Sequence, residues 1–162
     1  RGYTDASPDS RVLSGGATAL HKAAKSGDVD AVKLLLEFDA RVDIANMVYE
    51  VTPMHAAAGI WRVYGIFMES PISGAFTTGE DAAEIMSLLL DAGANIHELA
   101  ANGQNVAHGS AKAGWNAALQ FAFDQGVDLN ARDVGGYTPR ELALTMGHLE
   151  TVEFIDVLLG DQ

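Results

Sequence analysis

The sequence predicts an all-α solenoid of stacked helix–turn–helix units joined by hairpin-like loops, and two observations carry that prediction. A short motif recurs at a nearly constant interval. Thr18-Ala19-Leu20-His21 is followed 34 residues later by Thr52-Pro53-Met54-His55, and Asn105-Val106-Ala107-His108 is followed 33 residues later by Thr138-Pro139-Arg140-Glu141. Self-similarity at this period marks units that cannot bury an apolar face alone and do so by stacking on their neighbours. The second observation is the middle interval of 53 residues, one period plus 20 more, which interrupts the stack once, inside the second copy.

Taken in order, residues 1–11 are polar, contain Pro8 and show no periodicity, so they are expected to form a flexible N-terminal arm. One repeat domain is expected over 12–162, with repeats at about 15–48, 49–101, 102–134 and 135–162. In the first repeat Thr18 is a natural N-cap, because its hydroxyl can accept from an unpaired N–H of the first turn. Ala19, Leu20, Ala23 and Ala24 give a short helix with one apolar stripe, and Gly27 can close it in the left-handed region. Asp28 restarts a second helix, its carboxylate favoured at the positive N-terminal end. Val29, Val32, Leu35 and Leu36 then recur at helical spacing and are expected to be buried. Phe38 to Asn46 alternates weakly among turn formers and reads as an extended loop or hairpin.

Helix, tight turn, helix and hairpin in about 33 residues, opening on a Thr-Pro-Leu-His-like tetrad, resembles the ankyrin repeat. The resemblance spans about residues 12–160 in four copies. The second copy keeps Thr52-Pro53-Met54-His55 in front and Leu88-Leu89-Leu90-Asp91-Ala92-Gly93-Ala94-Asn95 behind. The third is weaker at its tetrad but ends Asp124-Gln125-Gly126-Val127-Asp128-Leu129-Asn130. In the fourth, Arg140 and Glu141 replace Leu-His, and Glu150, Glu153, Asp156, Asp161 and Gln162 polarise the final helix, as suits a terminal unit whose outer face has no neighbour. The resemblance implies that His21, His55 and His108 hydrogen-bond within and between repeats and that His148 sits in an inter-helix turn. His97, in a hairpin tip, has no such assignment.

Aligning Leu34-Leu35-Leu36 with Leu88-Leu89-Leu90 places the 20 extra residues at about 60–79, between the two helices of the second repeat. The stretch is rich in large apolar and aromatic residues, which is odd for a solvent loop. Two readings of it stay open. It folds back over its own repeat, or Trp61, Tyr64, Phe67 and Met68 form a contact patch. Thr77 with Glu80, or Thr78 with Asp81 in the adjacent register, has the form of a capping box. That explains the acidic cluster Glu80, Asp81 and Glu84 before any catalytic carboxylate pair does. Trp115 occupies the inter-helix turn of the third repeat, one repeat after the insertion emerges, and is expected to pack on it.

No two histidines stand at i, i+4, no phosphate-cradling glycine motif occurs, and no nucleophile elbow is present. Neither an enzyme, a metal site nor a cofactor is therefore expected. The formal net charge of −12 argues against nucleic acid and anionic membranes and is compatible with a basic protein partner. No run approaches the roughly 18 apolar residues of a membrane span. The absence of cysteine leaves cytoplasm and periplasm both admissible.

The resemblance implies a protein-interaction module that binds through the concave face of hairpin tips and first helices. The tips fall at about 45–51, 97–104 and 132–137. Their candidate contact residues are Met47, Tyr49, Glu50, His97, Glu98, Asn102, Arg132, Asp133 and Tyr137, with the insertion and Trp115 as an added zone. Met47-Val48-Tyr49 is the most apolar tip, an anchor or a patch packed on its neighbour. The alternatives are a small-molecule or catalytic site beneath the insertion, and self-assembly through the repeat ends and the insertion.

Overall fold

A computed structural model describes residues 16–47, 49–60 and 77–160. The arm at 1–11, Val48 of the first tip, and Trp61, Tyr64, Phe67 and Met68 of the insertion lie outside the described residues. Eight helices occur among the described residues: α1 (Ala19–Ser26), α2 (Val29–Glu37), α3 (Pro53–Ala57), α4 (Gly79–Asp91), α5 (Val106–Ala113), α6 (Asn116–Asp124), α7 (Pro139–Met146) and α8 (Leu149–Gly160). No strand occurs among those residues, so the tips are turns and loops rather than paired ribbons.

The recurring motif is a recurring N-cap. Thr18, Thr52, Asn105 and Thr138 each adopt an extended conformation, and each accepts from the backbone N–H three residues on through its side chain. The side chain at that third position returns the bond to the cap's own N–H, which satisfies two of the donors a helix start leaves open. Histidine does this in the first three repeats, Glu141 in the fourth. At α4 the box closes on Thr78 and Asp81 rather than on Thr77 and Glu80. Thr77 instead donates its hydroxyl to the carbonyl of Lys25 at 3.2 Å, which ties the start of α4 to the end of α1.

First helices α1, α3, α5 and α7 stack in one layer, and second helices α2, α4, α6 and α8 stack in another. The core lies between them. The first-helix layer supplies small residues (Ala56, Ala57, Ala107, Ala111, Ala143), and the second supplies large ones (Val32, Ile85, Met86, Leu89, Leu119, Ile155), all fully buried. Small side chains let the first helices approach closely. The closest approach is at Gly109, where a Cβ would sit 2.4 Å from the carbonyl oxygen of Ala58 and 2.6 Å from Ile60 Cγ1.

The structure corrects the expected burial of α2. Val32 is fully buried, but Val29, Leu35 and Leu36 are only half-buried. Among the described residues α2 has a second-layer neighbour, α4, on one side only, so half of its apolar stripe has nothing to pack on.

At the other end, Arg140 lies across to α8 and donates from Nε and NH2 to the two oxygens of Asp156, at 2.6 and 2.8 Å. A residue 33 positions earlier than each, Ala107 or Phe123, packs toward the next repeat. The ion pair thus stands where a fifth repeat would dock. Leu144, Leu149 and Val157 of the same repeat are also exposed. Arg140→Ala should therefore hardly change stability, because an exposed ion pair contributes little. Its larger effect should be an increase in self-association, measured by sedimentation. Unchanged sedimentation would remove the capping role.

Candidate functional site

The tips are shaped by short polar side chains bonded to their own backbone. In the first, Asn46 Oδ1 accepts from the N–H of Tyr49 at 2.9 Å and of Val51 at 3.4 Å. The N–H of Asn46 closes the loop on the carbonyl of Val51 at 2.9 Å. Glu50 completes this tight turn in the left-handed region, with φ of 52°. In the second tip, Asn102 Oδ1 accepts from the N–H of Gln104 at 3.1 Å. In the third, Asp133 Oδ1 accepts from the N–H of Tyr137 at 3.0 Å.

Consecutive tips are joined by backbone. The N–H of Ala101 donates to the carbonyl of Tyr49 at 3.1 Å, and the N–H of Val134 donates to the carbonyl of Asn102 at 2.8 Å. Gln104 adds a side-chain bond to Asp133 Oδ2 at 2.9 Å. A buried histidine fastens each tip from the repeat before it. His21 Nε2 lies 2.8 Å from the carbonyl of Val51, His55 Nε2 lies 3.0 Å from that of Glu98, and His108 Nε2 lies 3.1 Å from that of Tyr137. Because Nδ1 accepts from the N-cap N–H, Nε2 carries the proton and donates to the carbonyl, and the ring is neutral. Burial pushes the pKa of all three histidines below the ordinary value, against the opposing pull of the carbonyl each one meets.

The candidate residues separate on this frame. Met47 is 88% exposed and Tyr137 is 49% exposed. Glu50, His97 and Glu98 are also exposed. Tyr49 is half-buried against the core. Asn102 is corrected from contact residue to internal brace. It is only 7% exposed, its side chain shapes the second tip and its carbonyl receives the third. Arg132 and Asp133 also brace: Arg132 donates to the carbonyl of Gly136 and pairs with Glu141 at 3.1 Å.

Two tip residues were missed. Leu99 is 57% exposed and Val134 is 71% exposed, so Met47, Leu99, Val134 and Tyr137 put an exposed apolar side chain on each of the three tips. Both lie within the tip segments at 97–104 and 132–137, where a large apolar residue directly after a carboxylate is the signal in the sequence. Isolated apolar side chains on a surface are ordinary. Here one stands on every tip of a stacked row.

Trp115 is half-buried on the core and sits at the shoulders of the insertion. A Cβ on Gly59 would lie 3.2 Å from Trp115 Cζ3, and one on Gly79 would lie 3.3 Å from Trp115 Cβ. It takes the N-cap position of α6 without a side-chain cap bond. Contacts of Trp115 with residues 61–76 lie outside the described residues. Among the described residues there is no group of histidine and carboxylate side chains arranged to hold a metal, and no helix long and apolar enough to cross a membrane. A family model described as ankyrin repeats (3 copies) matches residues 4–60 and 75–156.

Proposed function

The chain belongs to the ankyrin-repeat family, whose members are in general protein–protein interaction modules, and from that premise we propose that it binds a partner protein through the row of loop tips. The observation that carries this reading is the exposed apolar side chain on each tip (Met47, Leu99, then Val134 and Tyr137) over loops fixed by backbone and histidine bonds. Pre-organised loops lose little conformational freedom on binding, so apolar anchors on them convert burial into affinity with small ordering cost. Glu50, Glu98 and His97 form the polar rim, and the two rim carboxylates favour a partner with a basic group facing the tips. Residues 60–79 add a second contact zone, with Trp115 beside it.

Met47→Ser combined with Tyr137→Ser should weaken partner binding by about a hundredfold, since two apolar anchors, one at each end of the row, each carry ~1–2 kcal/mol. The melting temperature should hardly move, because neither side chain is in the core. The measurement is affinity capture with the intact chain and the variant in parallel, followed by titration calorimetry on the captured partner. Equal capture by both chains would remove the tips from the reading. A third chain, with residues 60–79 replaced by a tight turn, tests the added zone. Unchanged partners and affinity would reduce that stretch to packing.

A further inference from the structure

The two helix layers carry opposite charge. The first helices hold four cations, Lys22, Lys25, Lys112 and Arg140, against one carboxylate, Glu141, a net of +3. The second helices hold one cation, Lys33, against ten carboxylates, a net of −9. Most of the chain's −12 therefore stands on one layer, and it is not the layer that bears the tips.

Four of those carboxylates have work inside the fold: Asp81 caps its own helix, Asp124 accepts from Gln120 Nε2 at 2.8 Å, Glu84 meets Lys33 at 2.8 Å and Asp156 meets Arg140. Others do not. Glu80, Asp91, Glu150 and Glu153 are exposed and in no ion pair among the described residues. Helices α2, α4 and α6 moreover each end on a carboxylate, with no basic residue in the last turn. That end of a helix is already negative and favours a cation. Charge set against the local rule in three successive repeats, with no ion-pair partner for these three carboxylates among the described residues, points outward.

The same layer exposes apolar side chains. Leu149 and Val157 stand on α8 with Glu153 one turn from each, and Glu150 and Asp156 flank them. Beside Val157's end of α8, an open hollow of about 140 Å³ is lined by Phe123, Leu129 and Leu159, with Asp128 in its wall. A mixed lining, with these apolar side chains beside polar groups that include Asp128 and Asn130, suits a lysine or arginine, whose aliphatic stem packs while its charge meets the acid.

We infer that the second-helix layer, from α4 to α8, is a docking face for an amphipathic, lysine- and arginine-bearing segment of a partner protein. The segment's apolar residues lie on Leu149 and Val157, one cationic side chain enters the hollow, and the remaining cations meet Glu80, Glu150 and Glu153. The first-helix layer, with its opposite sign, repels such a segment, so charge alone selects the side of the solenoid. The face shares no anchor with the tips and stands independently of them.

The test uses the full chain and a synthetic amphipathic leucine–lysine peptide as probe, titrated at low salt with amide chemical shifts as the readout. Shifts are expected along α4, α6 and α8. The triple variant Glu80→Lys/Glu150→Lys/Glu153→Lys should weaken binding about tenfold or more, whereas Glu50→Lys/Glu98→Lys on the tips should change it less than about twofold. Leu149→Ser/Val157→Ser should weaken the probe, and an all-lysine peptide of the same charge should bind the parent less tightly. Shifts confined to the tips, a triple variant within about twofold of the parent, or equal binding of the all-lysine peptide would each overturn the inference. So would absence of binding at low salt. Circular dichroism of every variant separates loss of the face from loss of the fold.

Discussion

Gly109→Ala should destabilise the protein, lowering its melting temperature by about 2–10 °C. In an ordinary helix interior the same change stabilises by about 0.5–1 kcal/mol, because glycine loses more backbone freedom on folding. Here the new Cβ would lie 2.4 Å from a backbone carbonyl oxygen, that of Ala58, and 2.6 Å from Ile60 Cγ1. A carbonyl cannot swing aside as a side-chain end can, so α5 must move away from the turn after α3. Overpacking of this kind costs about 1–3 kcal/mol, and each kcal/mol shifts a chain of this size by about 2–4 °C. Gly160→Ala is the control, since nothing lies within 4 Å of a Cβ there and its φ is not positive. Thermal unfolding of the two variants side by side decides the matter. An unchanged or raised melting temperature for Gly109→Ala would mean that the helices have room to separate.

Acid should destabilise the fold well before carboxylates titrate. His21, His55 and His108 are each held neutral by a donor at Nδ1 and by burial, and their folded pKa values lie below the ordinary one. For a base with a lowered folded pKa, stability is complete above the unfolded value of about 6.5. It is lost as pH falls below that, because the unfolded chain takes protons that the native one refuses. Each histidine removes at most about 1.4 kcal/mol per pH unit in this window, so three together are a large share of a total stability of about 5–15 kcal/mol. The check is the chemical-denaturation midpoint between pH 7.5 and 5, with proton uptake on unfolding at pH 6 measured by calorimetry. Uptake well below one proton would show that the rings are already charged in the native state. The lowered pKa values of Asp43, Glu141 and Asp156 act later, in the carboxylate range, and with the same sign on acidification.

The three rings should not titrate together. At His21 and His55 a threonine hydroxyl faces Nδ1, at 2.8 and 3.0 Å, and can donate to it. At His108 the facing group is Asn105 Oδ1 at 2.7 Å, an acceptor, and the charges of Asp133 and Asp128 also draw a proton toward the ring. His55 is opposed in addition by the charge His21 would carry. Histidine resonances followed through an acid titration should therefore give separate midpoints, all below the ordinary value because burial is the largest influence on each ring.

The sequence was most legible where one residue type has one local use. The cap residues Thr18, Thr52, Asn105 and Thr138, the left-handed Gly27 and the restart at Asp28 all fall where the spacing put them, because a helix start needs an acceptor at one position whatever surrounds it. It was less legible where two residues could serve equally. Thr77 and Thr78 offered two registers, and the choice fell to Thr78 because Thr77 is used by the Lys25 carbonyl, 52 residues away. Asn102 read as a variable tip residue, and its burial depends on the loop of the next repeat lying over it.

The repeat period and the caps that open the first helices were thus written in the chain itself, since they follow from spacing and from backbone groups that must be satisfied locally. Which apolar side chains would stand uncovered, and on which side the charge would collect, were not. Leu35 and Leu149 look alike in sequence to any residue of a core stripe, yet exposure depends on whether another helix arrives to cover them. The charge of −12 is a sum without a location until the helices sort into two layers. Only stacking sets Lys22 and Lys112 on one face and Glu80 and Glu153 on the other, because burial and facing are properties of neighbours distant in the chain.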